Sequence, residues 1–190
     1  TEFVKQTPMD TIILTLAWTI GSLCQDYLGT GVYVGHLVQA SNIPMGLIPA
    51  IVFLVAAGLS FSIGTAWGTF GIFIPIVVFI CQASAPELMV VTLSATLAGS
   101  VFGDHCSPIS DTTILSSTGA GCDHIKHVST QMYYAITVAA CCFVGYIVAG
   151  FSYGNLPLTL GTSIILLIVT LIVFHRLSKR KLVKKALIKS

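Results

Sequence analysis

Apolar residues in this chain run in long unbroken stretches, separated by a few short clusters of Gly, Ser, Thr and Asp. The stretches are continuous rather than alternating, which fits membrane helices and not the strands of a membrane barrel. A helical crossing needs about 20 mostly apolar residues. On that measure the chain reads as an all-α polytopic membrane protein. A polar segment at 1–8 leads into a span at 9–28, followed by a Gly-rich connection at 29–43 that is too weakly apolar to cross. Residues 44–82 hold two short apolar arms around the polar break SFSIGTAWGTFG (60–71), a pattern that predicts a re-entrant helical hairpin. Residues 87–118 predict a single crossing interrupted near its middle, and 128–152 and 156–175 predict two more spans. The remaining stretch, 176–190, is a basic tail.

The interruption at 87–118 carries the most chemistry. Residues 99–121 read GSVFGDHCSPISDTTILSSTGAG, with polar and acidic groups flanked by apolar sequence on both sides. Charge at membrane depth is costly, so such a cluster is a functional-site hypothesis by default. Pro108 lacks the amide that a continuous helix needs and pushes Ser107 away from helical dihedrals. The expected element is therefore a helix from Glu87 to about Gly103, an unwound GDHCSPIS centre, and a second half from Asp111 to about Thr118. Non-helical backbone at this depth survives only where protein or a water-filled cavity satisfies it. Ion sites in secondary transporters are built in this way.

Composition sharpens the picture without changing it. The chain is 55% hydrophobic and 8% charged, against roughly 25% charged in soluble domains. The formal net charge of +2 does not point to nucleic acid, because most of the Lys and Arg sit in the tail. The tail's Leu182, Val183, Ala186 and Leu187 fall at helical spacing, so it fits an anionic membrane surface as well as a solvated end. Placing the tail in the cytoplasm puts Lys126 and Lys5 on that same side, in keeping with the distribution of basic residues around spans. Six cysteines (Cys24, Cys81, Cys106, Cys122, Cys141 and Cys142) show no CxxC spacing and read as buried free thiols. With 190 residues there is room for four or five crossings, few for a transporter built from two repeats, so the chain reads as a fragment or one half of a larger polytopic protein.

An alkali cation prefers carboxylate, hydroxyl and carbonyl oxygens, and half-helix ends supply them at membrane depth. The unwound centre offers Asp104, Ser107, Ser110, Asp111, Thr112 and Thr113, with His105 as a possible proton relay. Asp104 and Asp111 are the expected sodium ligands. Burial favours the uncharged form of a carboxylic acid, so a bound proton can substitute for a bound cation, and two nearby carboxylates titrate together. A second candidate surface is the hairpin tip, where Ser60, Ser62, Gly64, Thr65, Gly68 and Thr69 gather hydroxyls and exposed helix ends. Asp111 could instead be an ordinary helix start, Asp104 could merely satisfy loop amides, and Gly64-x-x-x-Gly68 could be close helix packing. Asp123, His124 and His127 suggest a metal at first glance, but their loop offers no further ligands.

GDHCSPISDTTILSSTGAGCDHIKHVSTQMYYA resembles the signature of NhaC-type sodium/proton antiporters of the ion transporter superfamily, and SFSIGTAWGTFGIFIPI resembles the segment that precedes it there. The resemblance implies exchange of Na+ for H+ across the cell membrane by a longer protein of two inverted repeats. It makes this chain one half of that inverted-repeat transporter, lacking the N-terminal half, with the bilayer and that missing N-terminal half as partners and no resident cofactor. Homo-oligomers are compatible with it. Relatives that exchange malate or lactate supply the alternative, a sodium-coupled organic-acid antiporter. No Arg lies within the expected spans to clamp an organic anion, which favours the simpler cation exchange. Enzymes are disfavoured. The residues before Asp104 are Val101, Phe102 and Gly103 rather than the GxGD of intramembrane aspartyl proteases, and HExxH and GxSxG are absent. A non-transporting membrane subunit would account for the spans but not for the hydroxyl-rich breaks.

Overall fold

The computed structural model describes residues 44–187 together with the single positions Thr19 and Tyr27. The expected polar segment 1–8, the span 9–28 and the connection 29–43 otherwise lie outside the described residues. Those that are described form helices and turns, with no strand among them.

A 3-10 turn at Met45–Leu47 follows Pro44 and opens helix α1, Ile48–Ile63. Gly64 ends α1 in the left-handed region (φ 76°), its amide donating to the Ser60 carbonyl at 2.8 Å. Such a backbone suits glycine, which lacks the Cβ that would clash. Helix α2, Ala66–Ser84, starts two residues later and runs through Pro75 without ending. A second 3-10 turn at Pro86–Leu88 opens α3, Met89–Cys106. A four-residue turn (107–110) separates α3 from α4, Asp111–Gly119. Helix α5, His124–Phe151, is N-capped by Asp123, whose carboxylate accepts the Lys126 amide at 2.8 Å. Helix α6, Leu156–Leu187, carries the backbone of the basic tail onward from the last apolar stretch.

Among the described residues, four stretches are long and apolar enough to cross a membrane: Met45–Ile63, Pro86–Cys106, His124–Phe151 and Leu156–Arg176. The apolar part of α2, Ala66–Gln82, is shorter. Both breaks are narrower than the sequence leads one to expect. Around the first, only Gly64 and Thr65 leave the helix. Ser62 returns its hydroxyl to the Gly58 carbonyl of α1 at 2.8 Å and Thr69 to the carbonyl of Thr65, the cap of α2, at 3.0 Å, so each polar side chain is satisfied one turn back. Around the second, α3 continues three residues past Gly103, and the turn begins at Ser107, the residue that Pro108 constrains.

Helix α3 is the centre of the packing. Ile48, Val52 and Ala56 of α1 meet Phe73, Val77 and Cys81 of α2 and Leu88 at the entrance of α3 in one buried cluster. Phe53, Ala95 and Ala139 join α1, α3 and α5 in another, with the Phe53 ring stacked 6.3 Å from Phe102 and tilted against Tyr146 at 5.5 Å. Gly99 and Gly103 let α3 touch the backbone of α1: a Cβ at Gly99 would collide with the Phe53 carbonyl, and one at Gly103 with the Ala57 carbonyl. Small residues four apart permit this approach in membranes. Helix α6 packs on α5, and none of its apolar stretch is buried within the described protein.

Candidate functional site

The close approach of α3 to α1 brings the two helix breaks together. Ser107, wholly buried, donates its hydroxyl to the Phe61 carbonyl in the last turn of α1 at 2.8 Å. Gly64 lies against Ile109, so closely that a Cβ there would come within 2.8 Å of the isoleucine side chain. Residues 46 positions apart thus share one polar junction.

Asp104 sits beside this junction in the last turn of α3 and is 4% exposed. Its two oxygens accept from Ser110 Oγ at 2.7 Å and from Thr112 Oγ1 at 2.9 Å. Those hydroxyls are themselves 2.8 Å apart. The three contacts form a ring of four oxygens, and a hydrogen count separates its charge states. With Asp104 ionised, both hydroxyl hydrogens point at the carboxylate and none is left for the Ser110–Thr112 contact. With Asp104 protonated, three hydrogens serve three contacts.

The other expected ligands are placed differently. Asp111 is exposed and accepts the Thr112 amide at 2.8 Å, in the first turn of α4 where the helix dipole favours an acid. No hydrogen bond among the described residues joins it to the Asp104 ring. His105 is exposed and holds the Val101 carbonyl through Nδ1 at 2.8 Å, so that nitrogen carries the hydrogen. Ser60 and Thr113 are buried, and their hydroxyls have no partner among the described residues. A buried hydroxyl left unpaired costs about 1–3 kcal/mol. Thr65 caps α2 without a side-chain hydrogen bond, and Gly68 is buried against Thr65.

A cavity of about 530 Å³ opens between α3, α4 and α5, lined among others by His105, Thr112, Thr113, Ser116, His127 and Gln131. Thr112, whose hydroxyl donates to Asp104, is one of the lining residues. Among the described residues no group of three His, Cys, Asp or Glu is placed to hold a metal.

Three features of the site escape a reading of the sequence. Thr92, Thr96 and Ser100 lie four residues apart on α3, fully buried, each hydroxyl returned to a carbonyl of its own helix at 2.8–2.9 Å. Asp104 is the next position of that stripe, and the four-residue spacing is the signal that marks it. The Gly99–Gly103 pair is a second such signal. The third, the position of His124, has no local signal: its ring reaches Pro108, 16 residues away.

Among the described residues, four helices long and apolar enough to cross a membrane define an integral membrane protein. Residues 9–151 match the Na+/H+ antiporter family, and the chain belongs to it. An uncharacterized protein of Haemophilus influenzae is 51% identical over 164 residues, which is 86% of this chain and 31% of that protein. The malate-2H(+)/Na(+)-lactate antiporter of Bacillus subtilis is 32% identical over 54% of this chain and 22% of its own length. An uncharacterized Na(+)/H(+) antiporter of Haemophilus influenzae is 28% identical over 65% of this chain and 28% of its own length. The chain thus spans about a third or less of each of these relatives. No solved structure matches it.

Proposed function

We propose that this chain carries the ion site of a secondary transporter that exchanges Na+ for H+ across the cell membrane, and that Asp104 is the group for which the two ions compete. The observation that carries this reading is the ring of four oxygens, which is one hydrogen short when Asp104 is ionised. A proton fills that place. So does a cation: Na+ against the carboxylate takes the lone pairs of Ser110 and Thr112 as their hydrogens turn away, and helix ends at a break complete its shell. Ser60 and Thr113, buried without partners, are further oxygens available to the ion or its water. Asp111 acts as a second, outer carboxylate that draws the cation toward the ring. The cavity beside Thr112 is the route between solvent and Asp104.

In the membrane, α1 and α2 form a re-entrant hairpin whose tip is Gly64 and Thr65, and α3 and α4 are the halves of one discontinuous crossing. The inverted partner repeat belongs to the rest of the protein, and the C-terminus is cytoplasmic with Lys126 on the same side. Alternating access then moves the break between the two faces, and neither a cofactor nor covalent chemistry is required.

Sodium-coupled exchange of an organic acid is the second reading, favoured by the Bacillus subtilis relative. Proteoliposomes containing the full-length protein separate the two. A sodium gradient is expected to move protons with no organic acid present; strict dependence on malate, lactate or another carboxylate would overturn the simple exchange.

A further inference from the structure

The geometry points to His124 as a positioning residue that clamps the helix break and so holds the oxygen ring around Asp104. One imidazole touches two elements from a third. Nε2 lies 2.7 Å from the Pro108 carbonyl of the turn, and Nδ1 lies 3.0 Å from Ser117 Oγ on α4. The ring itself belongs to the first residue of α5, where the Asp123 cap fixes the helix start.

The chemistry of the partners sets the tautomer. A carbonyl only accepts, so Nε2 carries a hydrogen, and a neutral ring must present Nδ1 as an acceptor to the Ser117 hydroxyl. Ser117 has one hydrogen, so donating it to a neutral ring gives up its bond to the Ile114 carbonyl at 2.9 Å, whereas a protonated ring donates from both nitrogens and leaves that bond in place. The two ring contacts tie the turn and α4 to the start of α5, so His124 is a clamp. The carbonyl it holds belongs to the residue that breaks the helix, and this carbonyl is therefore taken by a side chain rather than left for an ion. On either side of Pro108 stand the two buried serines of the site, Ser107 on the hairpin and Ser110 on Asp104. Releasing Pro108 frees the outer edge of the turn that positions both.

The test uses the full-length protein with His124→Ala and His124→Gln, the glutamine keeping an N–H donor for the Pro108 carbonyl. Sodium-driven proton movement in proteoliposomes is one arm and rests on the exchange reading. His124→Ala is expected to raise the sodium concentration for half-maximal exchange about tenfold, the scale of one lost buried hydrogen bond, with the maximal rate little changed. His124→Gln is expected to restore the wild-type value. The other arm needs no knowledge of the transported ion. Cys106 is 5% exposed and immediately precedes the turn. With the other five cysteines replaced, maleimide labelling of Cys106 is expected to accelerate about tenfold or more in His124→Ala, as local opening exposes it. His124→Gln is expected to keep it protected. Unchanged labelling in His124→Ala overturns the clamp whatever the protein transports. Accelerated labelling in a wild-type background that moves no protons leaves the clamp standing and removes the exchange reading instead. If His124→Ala does not accumulate folded protein, His124→Leu, which fills space without a donor, decides: rapid labelling of Cys106 supports the clamp, and wild-type protection overturns it.

Discussion

At Asp104 the decisive quantity is a count of hydrogens. Three oxygen–oxygen contacts of 2.7–2.9 Å surround a carboxyl group with almost no access to solvent, and the ionised acid supplies one hydrogen too few. Asp104→Asn keeps the shape and a donor but removes the charge, so sodium-driven proton movement is expected to fall at least about a hundredfold, as for a buried charge-assisted contact. Asp111→Asn is expected to retain exchange with a raised sodium requirement, because its carboxylate is exposed and engages only the Thr112 amide. Wild-type rates in Asp104→Asn, or complete loss in Asp111→Asn, would reverse those roles. Ser110→Ala and Thr112→Val each strip one oxygen from the ring. Each should raise the half-saturating sodium concentration about tenfold, measured at fixed pH in the same vesicles. The residues Asp104, Ser110 and Thr112 were legible in the sequence, since acids and hydroxyls beside a proline in apolar surroundings have few bland explanations. Which of the two acids is buried was not. Exposure separates Asp104 from Asp111, and exposure depends on which face of α3 meets α1.

Helices α1 and α3 owe their contact to two missing side chains. Gly103→Ala places a methyl group on the Ala57 carbonyl, a rigid partner that cannot swing aside. It should lower the stability of the full-length protein by about 2 kcal/mol or more, the scale of overpacking. Gly58→Ala is the control: no atom lies within 4 Å of its Cβ position, so the melting temperature should hold or rise slightly. Equal loss in both would show that the close approach of the two helices contributes nothing. The positions of the breaks were legible from the polar, Gly-rich run at 60–71 and from Pro108, whose missing amide is a local demand. Their widths were not. Ser62 and Thr69 look like loop residues, yet each bonds back within a helix, and nothing in the spacing announces that choice. The bond from Ser107 to Phe61 was equally hidden, since it forms only after residues 46 apart meet.

The whole molecule is an integral membrane protein of the Na+/H+ antiporter family, spanning about a third or less of the relatives it matches. Its all-helical class was legible from the continuous apolar runs alone, and the family from residues 103–135 with the segment before them. Orientation follows from few charges, and a direct test is available. Cysteines introduced at Lys126 and Asn155 in the full-length protein should face opposite sides, the second labelled from outside by an impermeant maleimide and the first only after permeabilisation. Labelling of both from one side would break the proposed crossing by α5. The central claim, that a proton and a sodium ion compete for Asp104, is tested most directly by proton release. Sodium added to the purified full-length protein in weakly buffered detergent solution should release protons in proportion to the sodium bound, and Asp104→Asn should release none. Sodium binding without proton release, or equal release from Asp104→Asn, would contradict it.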